Sequence, residues 1–134
     1  MKLENILLTS KFEKKVKIVD FGIAGLASNF NVDKLDVGSL SYMAPEVLSG
    51  RAKRLGPSID IWALGVILYA LICGTLPFTK NNQQMTISAI IEGNYTFPLI
   101  SISNLLKDLL SKMLNTDESH RIRMYEILNH PWVA

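Results

Sequence analysis

From Ile61 to Thr79 the chain carries no charged residue, and no other feature of the sequence narrows its fold as much. A run of this kind is either a membrane span or the middle of a globular core. The residues at its ends decide between them. The pattern predicts a helix that opens near Ser58 and stops at Gly74, with Pro77 beyond it. At about 1.5 Å per residue, roughly 16 residues reach only about 24 Å, short of the about 30 Å of a bilayer core. Asp60 falls in the first turn, where a carboxylate suits a helix N-terminus in water and is costly in lipid. The helix is therefore expected at the centre of a globular core.

The rest of the chain suits one such core. Its 134 residues are 49% hydrophobic and 19% charged, without repeats, linkers or low-complexity tracts, so a single domain is expected. A net charge of +2 is too small for a nucleic-acid or membrane-surface partner, which needs a concentrated basic stripe. The basic clusters Lys11 to Lys17 and Arg51 to Arg54 read as solvated surface. A lone cysteine and the absence of a signal peptide favour a reducing compartment, intracellular and cytoplasmic. Cys73 itself, in an apolar run, reads as a buried, inert thiol.

Ahead of the long helix, Ile6-Leu7-Leu8 and Val16-Lys17-Ile18-Val19 flank a polar turn and predict a short β-hairpin. No period runs from Phe21 to Leu40, and a long irregular segment of this kind is usually functional. After Pro45 the pattern turns helical: a short turn to Leu48, the long helix, and a helix carrying Met85, Ile87, Ile90 and Ile91 that ends at Gly93. Another is capped by Ser103 and carries Leu105, Leu106, Leu109, Leu110, Met113 and Leu114 at i, i+4, i+8 spacing. The last is expected from Arg123 to Asn129, with Met124, Ile127 and Leu128 inward and Pro131 as its stop.

Candidate chemistry gathers at the hairpin. If Leu8 pairs with Lys17 and Leu7 with Ile18, Asn5 and Asp20 fall opposite each other, with β-carbons about 5 Å apart. A carboxylate with an amide oxygen is a hard donor set suited to Mg²⁺, which draws its remaining ligands from water and phosphate. Asn and Asp at strand ends also serve as turn formers, and the pair alone does not decide. His120 and His130 lack metal-ligand spacing and receive no catalytic role.

The order Lys2-Leu3-Glu4-Asn5, Asp20-Phe21-Gly22, Ala44-Pro45-Glu46 resembles the protein-kinase signature set. The likeness to the Ser/Thr protein kinases continues through Asp60-Ile61-Trp62-Ala63-Leu64-Gly65, Gly74-Thr75-Leu76-Pro77-Phe78, Arg121-Ile122 and His130-Pro131-Trp132, and is greatest to the calmodulin-dependent and AMP-activated types. The resemblance implies an α+β, mainly α fold: a kinase-like C-terminal lobe, a short β-hairpin on a helical body, with the N-terminal lobe missing. It implies a partial catalytic domain over residues 1–134, with the activation segment at 20–46. Lys2 and Ser39 would serve catalysis; Lys2, Glu4, Asn5, Leu7 and Asp20 would bind ATP, with Asn5 and Asp20 holding Mg²⁺. Leu7 would floor the adenine ring, and Phe21 would be the residue whose packing separates active from inactive states. The partner would be a protein presenting Ser or Thr. Glu46 would pair with Arg121, and Asp60 would accept backbone N–H groups of the catalytic loop.

The sequence also departs from the family. Counting back from Asn5 along the His-Arg-Asp-Leu pattern puts Met1 at the Leu, so the catalytic Asp is not among these residues. Where relatives of this type usually carry a phosphorylatable Thr, Leu35 stands, with Asp36 beside it. Two functions stay open: a fragment of a Ser/Thr kinase that is inactive alone, or a non-catalytic, pseudokinase-like binding module.

Overall fold

The computed structural model describes residues 6–8, 16–18, 36–52 and 56–134. Among the described residues two strands, β1 (Ile6–Leu8) and β2 (Val16–Ile18), pair antiparallel, and six helices follow. The pairing is Ile6 with Ile18, Leu7 with Lys17 and Leu8 with Val16. It is one residue out of step with the expected register, in which Leu7 faced Ile18. Both strands are three residues long, and Ile6-Leu7-Leu8 has no polar alternation, so the pattern itself does not distinguish neighbouring registers. Ile6 packs against the helical body and Val16 faces solvent.

The segment expected to be irregular up to Leu40 closes with a helix, α1 (Val37–Leu40). Four residues are too few to show a hydrophobic period, and Gly38 lowers its intrinsic propensity. Helix α2 (Pro45–Leu48) begins with Pro at its first turn, where the missing N–H costs nothing. Helix α3 (Pro57–Cys73) opens one residue before the expected point, again on a proline, and ends where Gly74 adopts φ 77°, a left-handed conformation that side chains disfavour. Its 17 residues span about 25 Å. Among the described residues no helix is long and apolar enough to cross a membrane.

Helix α4 (Gln83–Glu92) is capped by Asn82, whose Oδ1 accepts the Met85 N–H at 2.9 Å. Helix α5 (Asn104–Met113) is capped by Ser103 as expected, its Oγ accepting the Leu106 N–H at 3.2 Å. Helix α6 (Met124–Leu128) is shorter than expected, and of its three apolar candidates only Ile127 is buried. Met124 and Leu128 turn outward, because a five-residue helix lying on the body offers it a single narrow face. Leu105 likewise sits in the first turn of α5, off the buried stripe of Leu106, Leu109, Leu110 and Met113.

Helix α3 is the axis of the fold. Trp62, Val66 and Ile67 meet Phe78, Ile90 and Leu114 on one side. Ile61 meets Leu109, Met113 and Ile127 on another, and Tyr69 meets Leu106 and Leu110 on a third. One helix thus feeds three clusters, as its all-round apolar sequence requires. Its last turn is an exception: Leu71 is 63% exposed. Gly65 permits the close approach of α5, since a β-carbon there would lie 3.0 Å from Leu114 Cδ2 and Met113 Cβ.

Candidate active-site segment

The candidate site residues that the structure describes lie on the strand pair and on the segment running from Asp36 through α2. Asp36 caps α1, with its Oδ1 accepting the Ser39 N–H at 2.7 Å. Ser39 is therefore held within α1, half-buried, while the next residue, Leu40, is fully buried beneath it. A one-turn helix has no stability of its own, so the buried Leu40 and the cap hold it in place.

The far end of the segment is pinned by charge. Arg121 Nη1 donates to Glu46 Oε1 at 2.7 Å and Nη2 to Oε2 at 2.9 Å, a bidentate pair between residues 75 positions apart. Nη1 also donates to the carbonyl and hydroxyl oxygens of Ser58 at 2.9 and 3.1 Å, and Nε to the Asn115 carbonyl at 2.9 Å. The guanidinium carbon lies 5.1 Å from the Trp62 ring, which itself stacks on Phe78. This is the pairing expected from the sequence, and it joins α2 to the start of α3 and to the turn before α6. Buried ions are tolerated only when paired and hydrogen-bonded, and here both conditions are met. Ser58, Asn115 and the face of Trp62 were not foreseen in this role. Two of the contacts use backbone carbonyls, which leave no signature in a sequence.

Lys2, Glu4, Asn5, Asp20 and Phe21 lie outside the described residues. Leu7 lies in β1 opposite Lys17, and the pairing that set Asn5 opposite Asp20 is not the observed one. In the chain, Asn5 immediately precedes Ile6 and Asp20 stands two residues after Ile18, the strand residues that pair with each other. Asp60 is exposed in the first turn of α3, and the catalytic-loop residues expected to bond it lie outside the described residues. Cys73 is half-buried, and burial pushes its thiol above the usual range, which disfavours the reactive thiolate. Among the described residues, no three His, Cys, Asp or Glu side chains gather as a metal site would need.

The sequence matches the family described as "Protein kinase domain" over residues 1–133. It is 46% identical over 132 residues to the SNF1-related protein kinase catalytic subunit alpha KIN12 of Arabidopsis thaliana, an alignment covering 98% of this chain and 26% of that protein. It is 45% identical to the carbon catabolite-derepressing protein kinase of Secale cereale, with 98% and 26% covered. To calcium-dependent protein kinase 2 of Oryza sativa subsp. japonica it is 44% identical, with 99% and 26% covered. The chain spans about a quarter of the length of these relatives.

Proposed function

Because the chain belongs to the protein kinase domain family, we propose that it is the C-terminal-lobe portion of a Ser/Thr kinase catalytic domain, working in the cell in a longer protein that transfers the γ-phosphoryl of ATP to protein Ser or Thr. The observation that carries this reading is the buried Glu46–Arg121 pair. It anchors the end of the segment holding Ser39 to the helical body, and catalysis of phosphoryl transfer rests largely on positioning of this kind.

Within that reading, Asn5 and Asp20 hold Mg²⁺. Their amide and carboxylate oxygens are the hard donors that this ion takes, and in the sequence they stand one residue before Ile6 and two after Ile18, which pair with each other. Bound there, the ion would neutralise charge on the phosphates. Lys2 accompanies the transferred group, Glu4 and Leu7 contribute to the nucleotide site with Leu7 under the adenine, and Ser39 hydrogen-bonds the catalytic groups from the substrate side. The segment from Asp20 to Glu46 faces the protein substrate. No His-Arg-Asp occurs in these 134 residues, so this stretch alone transfers no phosphate, for want of the base.

The test uses the full-length protein that contains this chain. Purified with Mg-ATP and a panel of Ser and Thr peptides, it should phosphorylate them in an Mg²⁺-dependent manner, and Asn5→Ala and Asp20→Ala should each remove most of the rate. A folded full-length protein that transfers nothing would overturn the enzyme reading in favour of a binding module, and an Asp20→Ala variant as active as wild type would overturn the assignment of Asp20 to Mg²⁺.

A further inference from the structure

A line of hydroxyl groups links α1 to α4, and nothing in the signature motifs refers to it. Ser41, fully buried at the C-cap of α1, donates its hydroxyl proton to the Val37 carbonyl at 2.7 Å. The same Oγ lies 2.7 Å from Thr79 Oγ1. A carbonyl only accepts, and a serine hydroxyl has one proton, so Thr79 is the donor in the second bond. Thr79 stands on the connection between α3 and α4, and the next residue is fixed in turn: Lys80 N–H donates to Thr86 Oγ1 at 3.0 Å. Thr86, fully buried in α4, donates to the Asn82 carbonyl at 2.9 Å.

Helix α1 is a single turn and packs against α4. Its N-terminal end is held by the Asp36 cap and its C-terminal end by Ser41, with Ser39 between these two points. We propose that Ser41 and Thr79 are positioning residues: the Thr79 hydroxyl, seated on α4 through Lys80 and Thr86, fixes the orientation of the substrate-facing turn that carries Ser39. This rests on the kinase reading above. Thr79 is exposed and the buried Ser41 hydroxyl keeps its bond to the Val37 carbonyl, so the protein can lose the Thr79 hydroxyl without opening a core cavity, at the cost of the one bond Ser41 accepts. Removing it therefore shifts the turn rather than the fold.

The experiment compares Thr79→Val, which keeps the shape and removes the donor, with Thr79→Ser, which keeps the donor, in the full-length protein. Ser119→Ala, which removes a hydroxyl from the exposed Asp117–His120 turn, is the control. Thr79→Val is expected to raise KM for peptide by about three- to tenfold, the range one net hydrogen bond carries, with KM for ATP unchanged. Thr79→Ser should behave as wild type. The Ser41→Ala/Thr79→Val double variant should match Ser41→Ala alone, because both changes delete the same bond. By hydrogen exchange, the amides of Leu40, Ser41 and Met43, all bonded within this segment, should exchange about three- to tenfold faster in Thr79→Val and normally in Thr79→Ser. Equal behaviour of the Val and Ser variants, additive effects in the double variant, or peptide and ATP constants rising together would overturn the proposal. A wild-type protein that transfers no phosphate would fail the kinase reading instead, and the exchange measurements would then decide whether the tie exists.

Discussion

His120 and Arg121 are neighbours in the chain, and each meets a carboxylate at 2.7 Å, yet the two contacts belong to different physical regimes. Arg121 and Glu46 have side chains 0% and 3% exposed, and the fork is matched oxygen for nitrogen. His120 and Asp117 are 75% and 55% exposed, three residues apart on one turn. The first pair closes a gap of 75 positions and holds the Asp36 to Leu48 segment on α3; the second orders only its own turn. Distance alone does not separate them. Water does, since it screens the exposed contact and is absent from the buried one.

The comparison breaks most visibly at Glu46. Glu46→Ala strands the Arg121 charge in the core and should lower stability by about 3–5 kcal/mol in urea unfolding, whereas a loss under about 1 kcal/mol would put the pair in the exposed class. Arg121→Lys keeps the charge but replaces the planar fork with a point donor, so a smaller loss, about 2 kcal/mol, is expected from the same measurement. Recovery of wild-type stability with Lys would show that charge alone matters at this junction.

The exposed turn should yield the smallest effect, and its sign follows from Asp117. Hydrogen bonds from the Ser119 side chain, then from His120 and the Ser119 backbone, hold its carboxyl down to about 2, below the ordinary 3.8. A carboxyl lowered on folding stabilises the native state above its unfolded value, and that contribution is lost as pH falls through the folded one. Between pH 4 and about 2 the protein should lose a small increment of stability that Asp117→Asn lacks, as read by thermal unfolding across that range. A slope unchanged in Asp117→Asn would mean that the turn contributes nothing.

Much of the helical body was legible before any coordinates. Gly74 as the stop of α3 and Ser103 as the cap of α5 are local events whose causes lie within a few residues. The Glu46–Arg121 pair was legible for another reason: it came from resemblance to a family, since no local rule links residues so far apart. The sequence by itself thus determined where α3 and α5 form and that α3 lies at the centre, because caps and apolar periods act over one or two turns. Only the tertiary structure decided the strand register, the helix at Val37–Leu40, the outward turn of Met124 and Leu128, and the bond between Ser41 and Thr79. Each of these is selected by what an element packs against, and a three-residue strand or a one-turn helix contains too little sequence to specify its own neighbour.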